Sequence, residues 1–168
     1  MSAVDVLGDH VVEEIERWKA KFPAGRERSA VIAALHAVQH EDHSLSTAKM
    51  DAVAAYLGLP KVQVYEVATF YSMFETDKVG AHHVSVCTNI SCMLRGADAI
   101  LAHVERKLGI KVGESTPDRK FFLKREEECL AACCGAPMMM VDHVYHEELT
   151  PEKVDAILDA VDSEGGHR

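Results

Sequence analysis

All five cysteines of the chain fall in two short loops, and nothing else in the sequence constrains it as much. The first loop reads Val84-Ser85-Val86-Cys87-Thr88-Asn89-Ile90-Ser91-Cys92, a C-x4-C pair. Thirty-six residues later comes Glu128-Cys129-Leu130-Ala131-Ala132-Cys133-Cys134-Gly135-Ala136-Pro137, a C-x3-C pair with a fifth cysteine alongside. A chain that uses cysteine as core filler scatters it. Two pairs at chelating spacing are what a four-thiolate metal site requires.

Length and charge narrow the setting. The 168 residues suffice for one domain or two small ones, and a 48% hydrophobic share supports a packed core. A net charge of -9 argues against nucleic acid, whose phosphates call for clustered Lys and Arg, and equally against anionic lipid. Met1-Ser2-Ala3-Val4-Asp5 offers neither a basic n-region nor an apolar h-region. No apolar run approaches the roughly 18 residues of a spanning helix. The expectation is a soluble cytoplasmic protein without direct membrane insertion. In a reducing compartment, clustered cysteines more often serve metal or redox chemistry than structural disulfides.

Two patterns of periodicity divide the chain. Residues 1–9 read as frayed. Val11, Ile15, Trp18 and Phe22 then mark one face of a helix that Pro23 ends. Val31, Leu35 and Val38 mark a second helix. Ser46 caps a third, which carries Met50, Val53 and Leu57 inward and stops at Gly58. Pro60 opens a fourth, with Val64, Val67, Tyr71 and Phe74 on its stripe. None of the four is long enough to be stable alone, so they must pack together or on a partner. From His82 the pattern alternates as a strand ending at Cys87. Leu94, Ala97, Leu101, Val104 and Leu108 predict one helix that Gly109 ends. Lys120 to Lys124 and Met138 to Val141 read as strands, and Val144 to His146 pairs with the latter around Asp142-His143. Thr150 caps a last helix opened by Pro151. The reading is an α/β chain: a helical bundle over 1–76, then a β-α-β-β-β-α sandwich over 77–168. Both cysteine loops lie at strand ends.

Four readings of the cysteines compete. One is a [2Fe–2S] cluster on Cys87, Cys92, Cys129 and one of Cys133 or Cys134; an x4 gap also opens the plant-type ferredoxin pattern. Structural zinc is the second, though zinc pairs typically have an x2 gap. A dithiol redox site normally wants C-x-x-C, which neither loop has. The fourth is buried cysteine without ligand. Spacing favours the cluster. Backbone amides of the loops and of the helix following Cys92 are the expected donors to its negative charge. The sequence contains no GxGxxG, P-loop, HExxH or GxSxG motif, so no nucleotide or hydrolase site is legible.

Four passages then carry a resemblance: Val67-Ala68-Thr69-Phe70-Tyr71-Ser72-Met73-Phe74, Val86-Cys87 through Cys92, Glu128 through Cys133 with Ala136-Pro137, and Leu149-Thr150-Pro151-Glu152-Lys153-Val154. In this order, over about residues 10–162, the chain resembles the small [2Fe–2S] subunits of the NADH-oxidising module of respiratory complex I, the NADH:quinone oxidoreductase. The resemblance implies an N-terminal helical bundle that docks to a partner subunit and a C-terminal thioredoxin-like [2Fe–2S] ferredoxin domain. It implies cluster ligands at Cys87, Cys92, Cys129 and Cys133. Cys134 departs from the family's pattern and is expected as a small loop residue rather than a ligand. It also implies a partner subunit that holds FMN and NADH, neither of which this chain would bind. The function implied is one-electron transfer from the partner's reduced flavin, with no acid, base or nucleophile supplied here. The complex would lie against the inner face of the cell membrane. Similar subunits serve NAD-linked hydrogenases and formate dehydrogenases. A free-standing homodimeric ferredoxin and a zinc-stabilised module are the remaining classes.

Other residues read more plainly. His82, His83, His143 and His146 are expected as ordinary partly exposed side chains, and Met138-Met139-Met140 as a core strand. Phe70, Tyr71, Met73 and Phe74 are either bundle core or a docking surface. Glu126-Glu127-Glu128 suits a solvated face. The Ala136-Pro137 bond is a candidate for cis.

Overall fold

A computed structural model describes residues 2–124 and 129–163 of the chain. The acidic step Glu126 to Glu128 and the tail after Ser163 lie outside the described residues. The chain divides into two compact units, residues 1–78 and 79–168.

The first unit is helical. Its α-helices are α1 (Ala3–Leu7), α2 (Asp9–Lys19), α3 (Val31–Asp42), α4 (Thr47–Leu57) and α5 (Lys61–Phe70), with a 3-10 turn over Glu27–Ala30. Ser46 caps α4 by accepting from the Lys49 amide at 3.3 Å, and Gly58 ends it in the left-handed conformation, both as the sequence predicts. The core is built from Leu7, Val11, Ile15, Leu35, Val38, Leu45, Val53 and Val64, all fully buried. Each such side chain contributes about 1.5–3 kcal/mol relative to leaving it in water.

Two expectations are corrected here. The stretch expected to fray forms α1, because Ser2 and Asp5 make a reciprocal capping box and Leu7 enters the core. Helix α5 stops at Phe70, since Tyr71 turns to extended backbone. The aromatic stripe therefore splits. Phe74 is buried, whereas Phe70, Tyr71 and Met73 are exposed, Phe70 at 78%. Tyr71 stands edge-on to both phenylalanines, with ring centroids 5.0 and 6.4 Å away.

The second unit is a four-stranded sheet of order β2-β1-β3-β4. Its strands are β1 (His82–Val86), β2 (Phe121–Leu123), β3 (Met139–Val141) and β4 (Val144–His146). Strand β1 runs parallel to β2 and antiparallel to β3, pairing Val84 with Val141 and Val86 with Met139. Asp142 and His143, both at positive φ, turn β3 into β4. Val84, Val86, Phe121, Leu123, Met139 and Val141 join one core with Ile100 and Val104 of α7 (Ala97–Leu108) and Val154 and Leu158 of α8 (Pro151–Ser163). Thr150 caps α8 by accepting from the Lys153 amide.

The helix expected from Leu94 to Leu108 is two helices. A short α6 (Ile90–Leu94) ends before Gly96, whose φ of 89° no ordinary side chain adopts easily, and α7 begins after it. Leu94, read as part of the inward stripe, is 77% exposed. Among the described residues no helix is long and apolar enough to cross a membrane.

Candidate metal centre

The site begins where β1 stops. Side chains alternate along a strand, so Cys87 faces away from the Val84 and Val86 side of the sheet. It joins a separate apolar cluster with Cys92, Ala97, Leu130, Ala136 and Met138. Its amide donates to the Met138 carbonyl at 3.2 Å, extending the β1–β3 ladder to the loop. Cys92 lies inside α6, which starts before it, at Ile90, with Asn89 as cap. The amide donors expected from a helix after Cys92 therefore come from elsewhere.

Cys129 and Cys133 bring the second loop to the first. Their Sγ atoms stand 3.8 Å apart. Two thiolates on one tetrahedral metal, with metal–sulfur bonds near 2.3 Å, are separated by roughly 3.8 Å. The Cys87 thiol meets those of Cys92 and Cys129, so the four sulfurs form a chain from Cys92 through Cys87 and Cys129 to Cys133. Cys134 is exposed and follows Cys133 into a 3-10 turn that ends at Gly135. The Ala136-Pro137 bond just after it is cis. Among the described residues no three His, Cys, Asp or Glu side chains are arranged around one ion position.

Backbone amides aim at the sulfurs. Burial pushes the Cys87 thiol up, but the amides of Leu130 and Asn89, then the Cys92 and Cys129 thiols, hold it below its ordinary value. Cys92 is pushed up to about 11, first by burial and then by Cys87, with the Met138 amide opposing. At Cys129 the Ala131 amide, 3.4 Å from Sγ, lowers the pKa, and the neighbouring Cys133 thiol, burial and the charges of Cys133 and Cys87 together outweigh it. Crowded thiols resist carrying several negative charges, and cationic iron would relieve that conflict. The donor set thus suits a [2Fe–2S] cluster, which takes four thiolates, two on each iron.

Ala131 is a residue that sequence reading missed. It adopts φ of 61°, a left-handed conformation that usually calls for Gly, and so gave no signal as an alanine. The Asn89 cap was legible in principle, as an Asn directly before Ile90. His82 and His83 lie half-buried in β1, and His82 Nδ1 sits 2.6 Å from Asp142 Oδ2, a structural contact at the hairpin.

Residues 15–162 match the family of thioredoxin-like [2Fe–2S] ferredoxins. The chain belongs to that family. Among relatives of this ferredoxin, an E-type NADH-quinone oxidoreductase subunit of Rhizobium meliloti is 45% identical over 148 residues, covering 88% of this chain and 86% of the relative. The E-type NADH-quinone oxidoreductase subunit of Rickettsia conorii is 40% identical over 156 residues, covering 92% and 91%. The mitochondrial NADH dehydrogenase [ubiquinone] flavoprotein 2 of Dictyostelium discoideum is 42% identical over 149 residues, covering 88% of this chain and 60% of the relative. The fold also occurs in a solved NAD+-reducing [NiFe]-hydrogenase, with TM-score 0.70 at 19% identity over 81% of this chain. There it spans 23% of a longer chain.

Proposed function

We propose that this ferredoxin is the electron-transfer subunit of an NADH:quinone oxidoreductase, with Cys87, Cys92, Cys129 and Cys133 as ligands of its [2Fe–2S] cluster. The observation that carries the reading is the chain of four thiols, in a member of a family named for that cluster. The family match favours the cluster over zinc. When bound, the cluster supplies reversible uptake of a single electron at a time, donated by the reduced flavin of the partner subunit.

The protein's part is to place and tune the site. Cys87 at the end of β1 and Cys92 in α6 hold its inner side, closed off by Leu130 and Met138. The amides of Asn89, Leu130, Ala131 and Met138 present partial positive charge to the sulfurs, which favours the more negative reduced state. No group here has to move a proton for the electron to pass. FMN and NADH belong to the partner. Residues 1–76 form the docking bundle and 77–168 the ferredoxin domain, and exposed Phe70, Tyr71 and Met73 suit the docking role. The protein would sit on the inner face of the cell membrane through the complex. Electron paramagnetic resonance of the chain, purified anaerobically and reduced with dithionite, tests the reading. A spin-half signal of two-iron type, absent before reduction, is expected. A silent protein containing zinc would overturn it.

A further inference from the structure

The segment leading into α8 is fastened onto the second cysteine loop. The Glu148 amide donates to the Gly135 carbonyl at 2.7 Å, and the Leu149 amide to the Pro137 carbonyl at 2.9 Å. Between these bonds Glu148 takes a φ of 51°, a left-handed backbone that a glutamate adopts only under constraint. The side chain this places against the loop belongs to the residue before. Glu147 rests directly over Gly135: a Cβ on that glycine would collide with the Glu147 carboxyl and stand 2.6 Å from its Cβ. Gly135 is itself buried and bonded back to Ala132, in the 3-10 turn that starts at Cys133. A carboxylate is therefore held beside the turn that carries a proposed ligand, over a position kept bare of side chain.

We propose that Glu147 is a positioning residue that lowers the reduction potential of the four-cysteine site through its seat on Gly135. This rests on the ligand assignment proposed above. Uptake of one electron, from reduced flavin in the complex or dithionite in a titration, adds one negative charge to the site. A fixed carboxylate nearby opposes that addition and stabilises the oxidised state. The Lys153 ammonium donates to the Glu148 carbonyl, 2.9 Å away, on the same segment, and offsets part of the effect. Because Glu147 is exposed, the influence is moderate and weakens as salt rises.

The test is a redox titration of the full-length reconstituted chain, followed by visible absorption and electron paramagnetic resonance. Glu147→Gln keeps the shape and removes the charge; its midpoint should move positive with the signal's shape retained. Glu147→Lys should move it further the same way, and both shifts should shrink in high salt. Gly135→Ala, which displaces the carboxyl, should shift it in the same direction. Midpoints that stay in place for Gln and Lys, or that move negative, overturn the proposal while leaving the cluster assignment intact. An unmutated chain that takes up no cluster overturns both.

Discussion

The two cysteine loops face each other but are held by different means. The first is an extension of regular structure: Cys87 continues β1, Cys92 is inside α6, and both are about as buried as a side chain can be, at 2% and 1% exposure. The second is built from turns, with Cys129 and Cys133 exposed, Ala131 left-handed and Gly135 covered by Glu147. One half of the site is positioned by regular structure, β1 and α6. The other half owes its place to local backbone geometry and to the segment entering α8. A site of this kind is anchored on one side and adaptable on the other.

Four predictions break or sharpen that contrast, beginning with the strongest. Serine at Cys87, Cys92, Cys129 or Cys133 should each abolish the reduced two-iron signal, whereas Cys134→Ser should keep it. If Cys134→Ser lost the signal while Cys133→Ser kept it, the ligand assignment in the second loop would be wrong. Next, Met138→Ala removes a side chain packed beneath the first loop and should cost the metal-free protein about 2–5 kcal/mol in urea unfolding, as cavity-forming core changes do. A cost near zero would show that the inner half is not preformed.

A smaller effect of opposite sign is expected at Ala131. Glycine relieves a left-handed alanine by about 1–2 kcal/mol and gives back part through the greater freedom of the unfolded chain. Ala131→Gly should therefore raise stability by roughly 0.5–1 kcal/mol, read from the denaturation midpoint. Last, Cys129→Ser in the metal-free protein should change stability by no more than about 0.5 kcal/mol, the usual range for an exposed side chain. A large loss there would mean that the second loop is as firmly built as the first.

Much of this was legible before the structure. Strand His82–Val86, the Asp142-His143 hairpin, the Ser46 and Thr150 caps and the Gly58 stop all come from signals a few residues long, and all appear where expected. The misreadings share a cause. The continuous stripe from Leu94 to Leu108 matched a helix period, yet Gly96 broke it, because a glycine's positive φ is compatible with periodicity on either side. Residues 1–9 read as frayed, and Leu7 settled the matter by finding a core made from residues distant in the chain. Tyr71 kept the helical spacing but left the helix.

The sequence by itself determined the chemistry at hand: five thiols in two loops, the elements that flank them, and an acidic chain ill suited to nucleic acid or anionic lipid. Those follow from residue type and short-range backbone preference, which act without knowledge of the fold. Only the tertiary structure decided that Cys87 meets Cys129, that Leu130 and Met138 offer their amides to the other loop's cysteines, and that Glu147 covers Gly135. Each of these joins residues brought together by the pairing of β1 with β3, by the approach of the two loops, or by the backbone bonds that bind the α8 entry to the second loop. The physical reason is that side-chain patterns specify which face of an element is buried, while the register between elements specifies which atoms meet.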